Sequence, residues 1–294
     1  MRTDRWISRN TERLDGRLVA ITGATGGLGG ALCHHLLGLG ASLVLLDRNR
    51  KKSDALRASL LAAYPTASIA QLTLDLSDMT SVRAACEALE QLPLDVLIHN
   101  AGAYSIPRKT CDTGYDNVFQ INFVSPYYMT RRLLPLLRAR RGRVVAVGSI
   151  AHRYSRTDEN DVDFSTRTRA SLVYGNAKRY LMCALWSLFE DENEATLAVT
   201  HPGISFTGIT AHYPPWLFAL IKHPMKLVFM KPRRAALSTL WGVFCPTDSG
   251  EWLGPRLFDV WGLPRRATLH SCSPTERARI VACACRIYEK VGGL

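Results

Sequence analysis

The sequence predicts a single doubly wound α/β sheet, about seven parallel strands with helices on both faces, and three observations predict it. Short aliphatic runs recur at Leu18–Thr22, Ser42–Leu46, Ile69–Leu74, Leu94–His99, Arg143–Val147 and Thr196–Thr200, as strands buried on both faces read. Helix-length segments separate them. The 294 residues, 47% hydrophobic and 21% charged, suffice for one large core. No repeat, low-complexity tract or Gly/Ser linker divides them, so one domain over 1–294 is expected.

The expected helices are Leu28–Leu39, Asp54–Ala63, Ser81–Gln91, Thr113–Leu137 (long, or broken near Pro126) and Ser171–Glu190. A seventh strand fits Arg256–Val260. At the C-terminus, Ser273-Pro274-Thr275-Glu276 reads as a capping box. Ile280, Cys283, Ile287 and Val291 follow at helical spacing, so a docked amphipathic helix is expected near 274–291. Two segments break the alternation: the polar stretch 150–170 and the apolar, Pro-punctuated stretch 204–231. Both follow strands, so they project beyond the strands' carboxyl ends, where an open α/β sheet binds its ligand.

Composition excludes several classes. Eight scattered cysteines without a Cys-x-x-Cys pair do not make a disulfide framework and suit a reducing compartment. The N-terminus has no apolar core of a signal peptide, and no run of about eighteen apolar residues offers a membrane span. A cytoplasmic protein is expected. Lys and Arg outnumber Asp and Glu by 37 to 25, a formal charge of +12, which suits an anionic partner. The basic residues form short scattered clusters without an aromatic stripe, so nucleic-acid binding is not expected. The adjacent pair His34-His35 cannot converge on one ion from a helix, and His152, His212 and His223 lack ligand partners at sensible spacing, so no metal site is expected.

Thr22-Gly23-Ala24-Thr25-Gly26-Gly27-Leu28-Gly29 follows the first strand and opens a helix. Its glycines permit a sharp turn, and the helix N-terminus offers free N–H groups to a pyrophosphate. That setting marks a Rossmann-type dinucleotide site. Asp47, eighteen residues beyond Gly29, stands where a carboxylate can accept from the adenosine ribose hydroxyls, which favours NAD; the other reading is a turn residue. Arg48 follows it and attracts a 2′-phosphate instead, which favours NADP. Tyr174 and Lys178, four apart, share one helix face. Ser149 ends the fifth strand, His99-Asn100-Ala101-Gly102 ends the fourth, and Asn122 is an amide in a segment read as helix, which calls for a polar partner.

Taken in order, TGxxxGxG at Thr22 to Gly29, NAG at Asn100 to Gly102, Asn122, Ser149 and YxxxK at Tyr174 to Lys178 resemble the classical short-chain dehydrogenase/reductase family, over about Leu14 to Val260. Adjacent Gly26 and Gly27 also fit the TGxxGxxG of its extended members. Gly148 to His152, His201-Pro202-Gly203 and the C-terminal helix are similar to retinol-dehydrogenase-like members. The resemblance implies an NAD(P)-dependent oxidoreductase that interconverts an alcohol and its ketone or aldehyde on a fairly apolar substrate, with NAD favoured over NADP. It implies Tyr174 as proton carrier, Lys178 lowering the phenol's pKa and holding the nicotinamide ribose, Ser149 polarising the carbonyl, and Asn122 holding a water. Implied cofactor contacts come from Thr22, Gly23, Thr25, Gly27, Leu28, Gly29, Asp47, Arg48, Asp75, Leu76, Asn100, Ala101, Gly102, Tyr174, Lys178, Pro202, Gly203 and Thr207. For Asp75 a helix-capping role stands beside the adenine contact.

Family habit implies a homodimer or homotetramer. The basic, apolar stretch 213–231 has three readings: a lid over an apolar pocket, a peripheral membrane contact, or a packing surface. The rival class is a non-catalytic dinucleotide-binding sensor or docking module, against which the complete set Asn122, Ser149, Tyr174 and Lys178 argues.

Overall fold

A computed structural model describes residues 3–203, 230–269 and 272–293. Its centre is an eight-stranded sheet in the order β3-β2-β1-β4-β5-β6-β7-β8. The strands are β1 (Leu18–Thr22), β2 (Ser42–Asp47), β3 (Ile69–Thr73), β4 (Leu94–His99), β5 (Arg143–Val147), β6 (Thr196–Thr200), β7 (Glu251–Leu257) and β8 (Trp261–Thr268). All pair in parallel except β8, which returns antiparallel on β7. Doubly wound order puts the crevice where the chain reverses direction, between β1 and β4.

Alternate residues of each strand enter opposite cores. Val19, Ile21, Leu43 and Leu45 face one core, with α2 (Gly27–Gly38), Leu60 of α3 (Arg50–Ala63), Trp6 of α1 (Thr3–Asn10) and the helix α8 (Pro232–Gly242). Ala20, Val44 and Leu46 face the other, with α4 (Met79–Glu90), α6 (Ser125–Ala139), α7 (Ala170–Leu188) and the C-terminal helix α9 (Pro274–Gly292).

Six strands lie where the sequence puts them, to within a residue at the ends. The seventh does not: β7 begins at Glu251, and Arg256–Val260 runs into a turn closed by Val260 N–H donating to Leu257 O at 2.9 Å. The sequence does not predict the eighth strand; its Pro264 and Arg265-Arg266 are tolerated because β8 is a sheet edge. The expected helix Thr113–Leu137 is also corrected. Helix starts at Asn117, capped by Asp116 accepting from Val118 N–H, passes through a π turn at Gln120–Val124 and continues as α6. The irregularity thus precedes Pro126, whose ring removes an N–H from the ladder just where the π turn has already shifted its register.

Ser273 caps α9 by accepting from Glu276 N–H. The reciprocal bond of a capping box is replaced, because the Glu276 carboxylate grips Arg179 of α7 in a bidentate pair and accepts from Thr157 Oγ1. After a 3₁₀ turn (Ile150–Tyr154), the stretch 150–170 is irregular and pinned by the ion pairs of Arg167 with Asp158 and Asp161, and by Arg108 donating to the carbonyls of Phe164 and Arg167. The expected stretches 204–231 and 213–231 lie outside the described residues except for Met230 and Lys231, and Thr207 lies outside them entirely. No helix among the described residues is long and apolar enough to cross a membrane.

Candidate active site

The glycine turn is latched to the end of β4. Thr22, buried, accepts at Oγ1 from the N–H groups of Asn100 and Ala101 at 3.1 and 3.0 Å. Asn100 Nδ2 donates back to the carbonyls of Thr22 and Gly23. Gly23 has φ +67°, and a Cβ there would lie 3.0 Å from Ala101, so this crossing requires glycine on both counts. Gly29 rests on Gly23 so closely that a Cβ would stand 2.4 Å from its carbonyl oxygen. With Gly26 as N-cap, α2 begins without a side-chain cap, so that among the described residues no side chain claims the N–H groups of its first turn.

Asp47 ends β2 at 3% exposure. Its Oδ1 accepts from Thr25 N–H and Thr25 Oγ1, both at 2.9 Å, and its Oδ2 from Ser53 Oγ at 3.1 Å. In this structure the carboxylate therefore braces the glycine turn from below. Arg48 is exposed beside it. Asp75 accepts from both the N–H and the hydroxyl of Ser77, shaping the turn before α4, while the cap of α4 is Asp78. The Leu76 carbonyl is held by Ser125 Oγ at 2.7 Å.

The four residues expected to carry the chemistry assemble across α7, the end of β5 and the π turn. Lys178 Nζ, 2% exposed, donates to Val147 O at 2.8 Å and lies 5.7 Å from the centre of the Tyr174 ring. The Ser149 hydroxyl faces the Tyr174 phenol and favours its charged form. Asn122 donates through Nδ2 to the carbonyls of Ala103 and Val118, both at 2.8 Å, and accepts at Oδ1 from Ala103 N–H. The π turn supplies the polar partner that a buried amide requires: Asn122 satisfies a carbonyl four residues back that a regular backbone ladder would otherwise take. A Cβ on Gly102 would stand 2.9 Å from Asn122 Oδ1 and 3.7 Å from Lys178 Nζ, so these groups converge on the end of β4.

Burial dominates the electrostatics. It pushes Lys178 down to about 7, and it pushes Tyr174 up to about 12 against the lowering effect of the nearby Ser149 hydroxyl, with Tyr104 adding to the rise. The expected lowering of the phenol by Lys178 is not expressed in this state. Among the described residues the ammonium has one acceptor, with two further N–H groups to offer, and Asn100 Oδ1 is buried without a donor. These atoms, together with the uncapped α2 N-terminus, fit a ligand carrying ribose hydroxyls and phosphates.

Three contributors carried no sequence signal. Tyr104 meets Tyr174 edge to face, with ring centres 5.3 Å apart. Gly175 lets α7 lie on the Ile150–Tyr154 turn, since a Cβ would be 2.3 Å from Ala151 O; this close approach presses Tyr174 toward Ser149. His152, discounted as a ligand, donates through Nδ1 to Ser149 O, and its ring packs on the edge of Trp252, whose face stacks on His201. Gly203 has φ +76° and abuts Val260 O, while Pro202 precedes it at the end of β6. Around Tyr174, Val118, Phe164 and Val173 form a small apolar cluster with Ile106 and Leu172.

Comparison with known proteins gives the family of the chain. The family model described as short chain dehydrogenase matches residues 17–159. The chain is similar to retinol dehydrogenase 14 of Mus musculus, 30% identical over 82% of this chain and 78% of that protein. It is also similar to dehydrogenase/reductase SDR family member 13 of Bos taurus, 32% identical over 85% of this chain and 67% of that protein. Among solved structures it resembles a 3-oxoacyl (acyl-carrier-protein) reductase of Agrobacterium tumefaciens C58 with NADP bound, with TM-score 0.62 and 23% identity over 79% of this chain and 88% of that one.

Proposed function

Because the chain belongs to the short-chain dehydrogenase/reductase family of oxidoreductases, we propose that it interconverts an apolar alcohol and its ketone or aldehyde with NAD(P), using Tyr174 as general acid and base. The observation that carries this reading is the convergence of buried Lys178, tied to Val147 O at 2.8 Å and 5.7 Å from the Tyr174 ring, with Ser149 at the carboxyl end of β5. The bound dinucleotide supplies the hydride acceptor or donor. Its phosphates suit the α2 N-terminus between Gly23 and Gly29, its adenosine end Asp47, Arg48, Asp75 and Leu76, and its nicotinamide end Asn100, Ala101, Gly102, Lys178, Pro202 and Gly203.

The chain's own residues then divide the work. The Ser149 hydroxyl donates to the substrate oxygen and fixes its position. Tyr174 hands the proton to that oxygen in reduction and takes it in oxidation. A phenol held near 12 is a poor base, so oxidation calls for added positive charge beside it; Lys178 supplies this once its remaining N–H groups engage acceptors and its charged form is favoured. Asn122, tied to Ala103, lies between that lysine and the end of β4 and suits a water that passes the proton outward. The apolar cluster around Tyr174 supports a substrate poor in polar groups, in keeping with the name of the retinol-oxidising relative.

At the adenosine end, the buried charge of Asp47 opposes a 2′-phosphate and favours NAD, while exposed Arg48 works the other way. Fluorescence titration with NADH and NADPH on the native chain and on Asp47→Ala reads the balance: a shift toward NADPH is expected, and an unchanged ratio removes Asp47 from selection. Turnover of a panel of apolar alcohols and ketones tests the reaction itself. Cofactor binding without turnover on any of them would favour a binding module instead.

A further inference from the structure

Tyr154 (65%), Leu257 (49%), Phe258 (90%) and Trp261 (37%) are the large apolar side chains that stand exposed among the described residues, and they surround one turn. Leu257, Phe258 and Trp261 belong to the connection from β7 to β8. Tyr154 adjoins it, because Arg153 reaches across to Asp259 Oδ2 at 2.9 Å. Since β7 runs parallel to β6, and β6 to β5, this turn lies at the same end of the sheet as Ser149. Gly203 touches it, a Cβ there being 2.4 Å from Val260 O. The apolar tip therefore borders the mouth of the site.

Folding does not account for the tip. Phe258 and Asp259 have φ +52° and +57° in a turn closed by Val260 N–H on Leu257 O. Such a turn ordinarily takes Asn or Asp followed by Gly. Asp259 suits its position, but a bulky Phe in the left-handed region is strained, and its ring gains no burial in return. The surrounding charge is of one sign. Arg153, Arg256 and Arg265 are exposed, and the Arg234 guanidinium lies 4.3 Å over the Trp261 ring. Asp259, the carboxylate of the turn, is 5% exposed and is paired with Arg153.

Aromatic and aliphatic groups inside a ring of guanidiniums complement an anionic bilayer surface, which accepts the apolar tips below its headgroups and the cations among them. A second copy meeting this tip symmetrically would set guanidinium against guanidinium. We propose that the β7–β8 turn is a docking surface for an anionic lipid bilayer, with Leu257 and Phe258 entering it and Arg153, Arg256 and Arg265 meeting the headgroups. Docking there faces the site mouth toward the phase into which an apolar alcohol partitions.

The test uses the full chain with sucrose-loaded vesicles of phosphatidylcholine, alone or mixed with phosphatidylserine, without substrate or cofactor. It can therefore fail while the assigned reaction stands, or succeed while that reaction fails. Sedimentation with the phosphatidylserine vesicles only, weakening with salt, is expected. Phe258→Asn, which suits the left-handed backbone, should lower partitioning about tenfold at an unfolding midpoint no lower than native. Arg256→Glu should lower it about fivefold. The proposal is overturned by absence of binding to anionic vesicles, or by both variants binding as the native chain does. Self-association lost in Phe258→Asn, with no vesicle binding, would overturn it in favour of a contact between copies.

Discussion

The two edges of the site are built differently. On the glycine-turn edge, the crossing of β1 and β4 is held by backbone and short side chains: Thr22, Asn100, and glycines at which a methyl would collide with main-chain atoms. On the catalytic edge, Tyr174 and Lys178 are placed by the packing of α7 against β5, the 3₁₀ turn and the C-terminal helix. The first edge tolerates almost no added volume, whereas the second depends on distant side chains staying paired. Backbone geometry can thus define where a dinucleotide lies, while long-range packing decides whether proton chemistry is aligned with it.

The largest expected effect separates chemistry from binding. Tyr174→Phe should lower turnover by about three to four powers of ten, while fluorescence titration finds cofactor affinity within a few-fold of native. Near-native turnover would remove Tyr174 from proton transfer. Next, Arg179→Ala attacks the catalytic edge from behind, by stranding Glu276 beside a buried helix junction. Urea unfolding should show a loss of about 3 kcal/mol. A loss within error would mean that α9 does not hold α7 in place.

Gly29→Ala breaks the other edge, by setting a methyl 2.4 Å from Gly23 O. About 2 kcal/mol of stability should go, with dinucleotide binding, and retained binding would show that the turn yields more than its contacts suggest. The smallest effect, counted per residue and per pH unit, is on pH. Burial lowers His99 to about 3 and His152 and His201 to about 4, each from an ordinary value near 6.5. Their stabilising contribution is complete above the unfolded value and is lost as pH falls from there toward the folded values. The unfolding midpoint should therefore drop between pH 7 and pH 5, with a slope approaching about 1 kcal/mol per histidine per pH unit, and His201→Asn should flatten that slope. An unchanged slope would place His201 in contact with water.

Much of this was legible in the sequence, for identifiable reasons. The strands are short runs buried on both faces, and the glycine turn, NAG, Ser149 and Tyr174-x-x-x-Lys178 are local patterns at strand ends. What depended on residues far apart was not legible. Nothing near Asp47 announces that Thr25 and Ser53 will occupy its oxygens, and nothing near Tyr104 announces a ring contact seventy residues on. The strand β8 was hidden by prolines and arginines that only an edge position permits, and Gly175 looks like a helix flaw until Ala151 is seen against it.

The π turn at Gln120–Val124 has a further consequence. It holds one residue more than an α turn of the same rise, so everything after it is rotated by about 100° relative to an uninterrupted α-helix. The burial of Phe119 before it and of Leu133, Leu134 and Leu137 after it are thereby brought into one core. Deleting a single residue between Phe119 and Ser125 would swing that later stripe out of phase, and evolution can lengthen neighbouring loops far more freely than it can change the count of residues in this stretch.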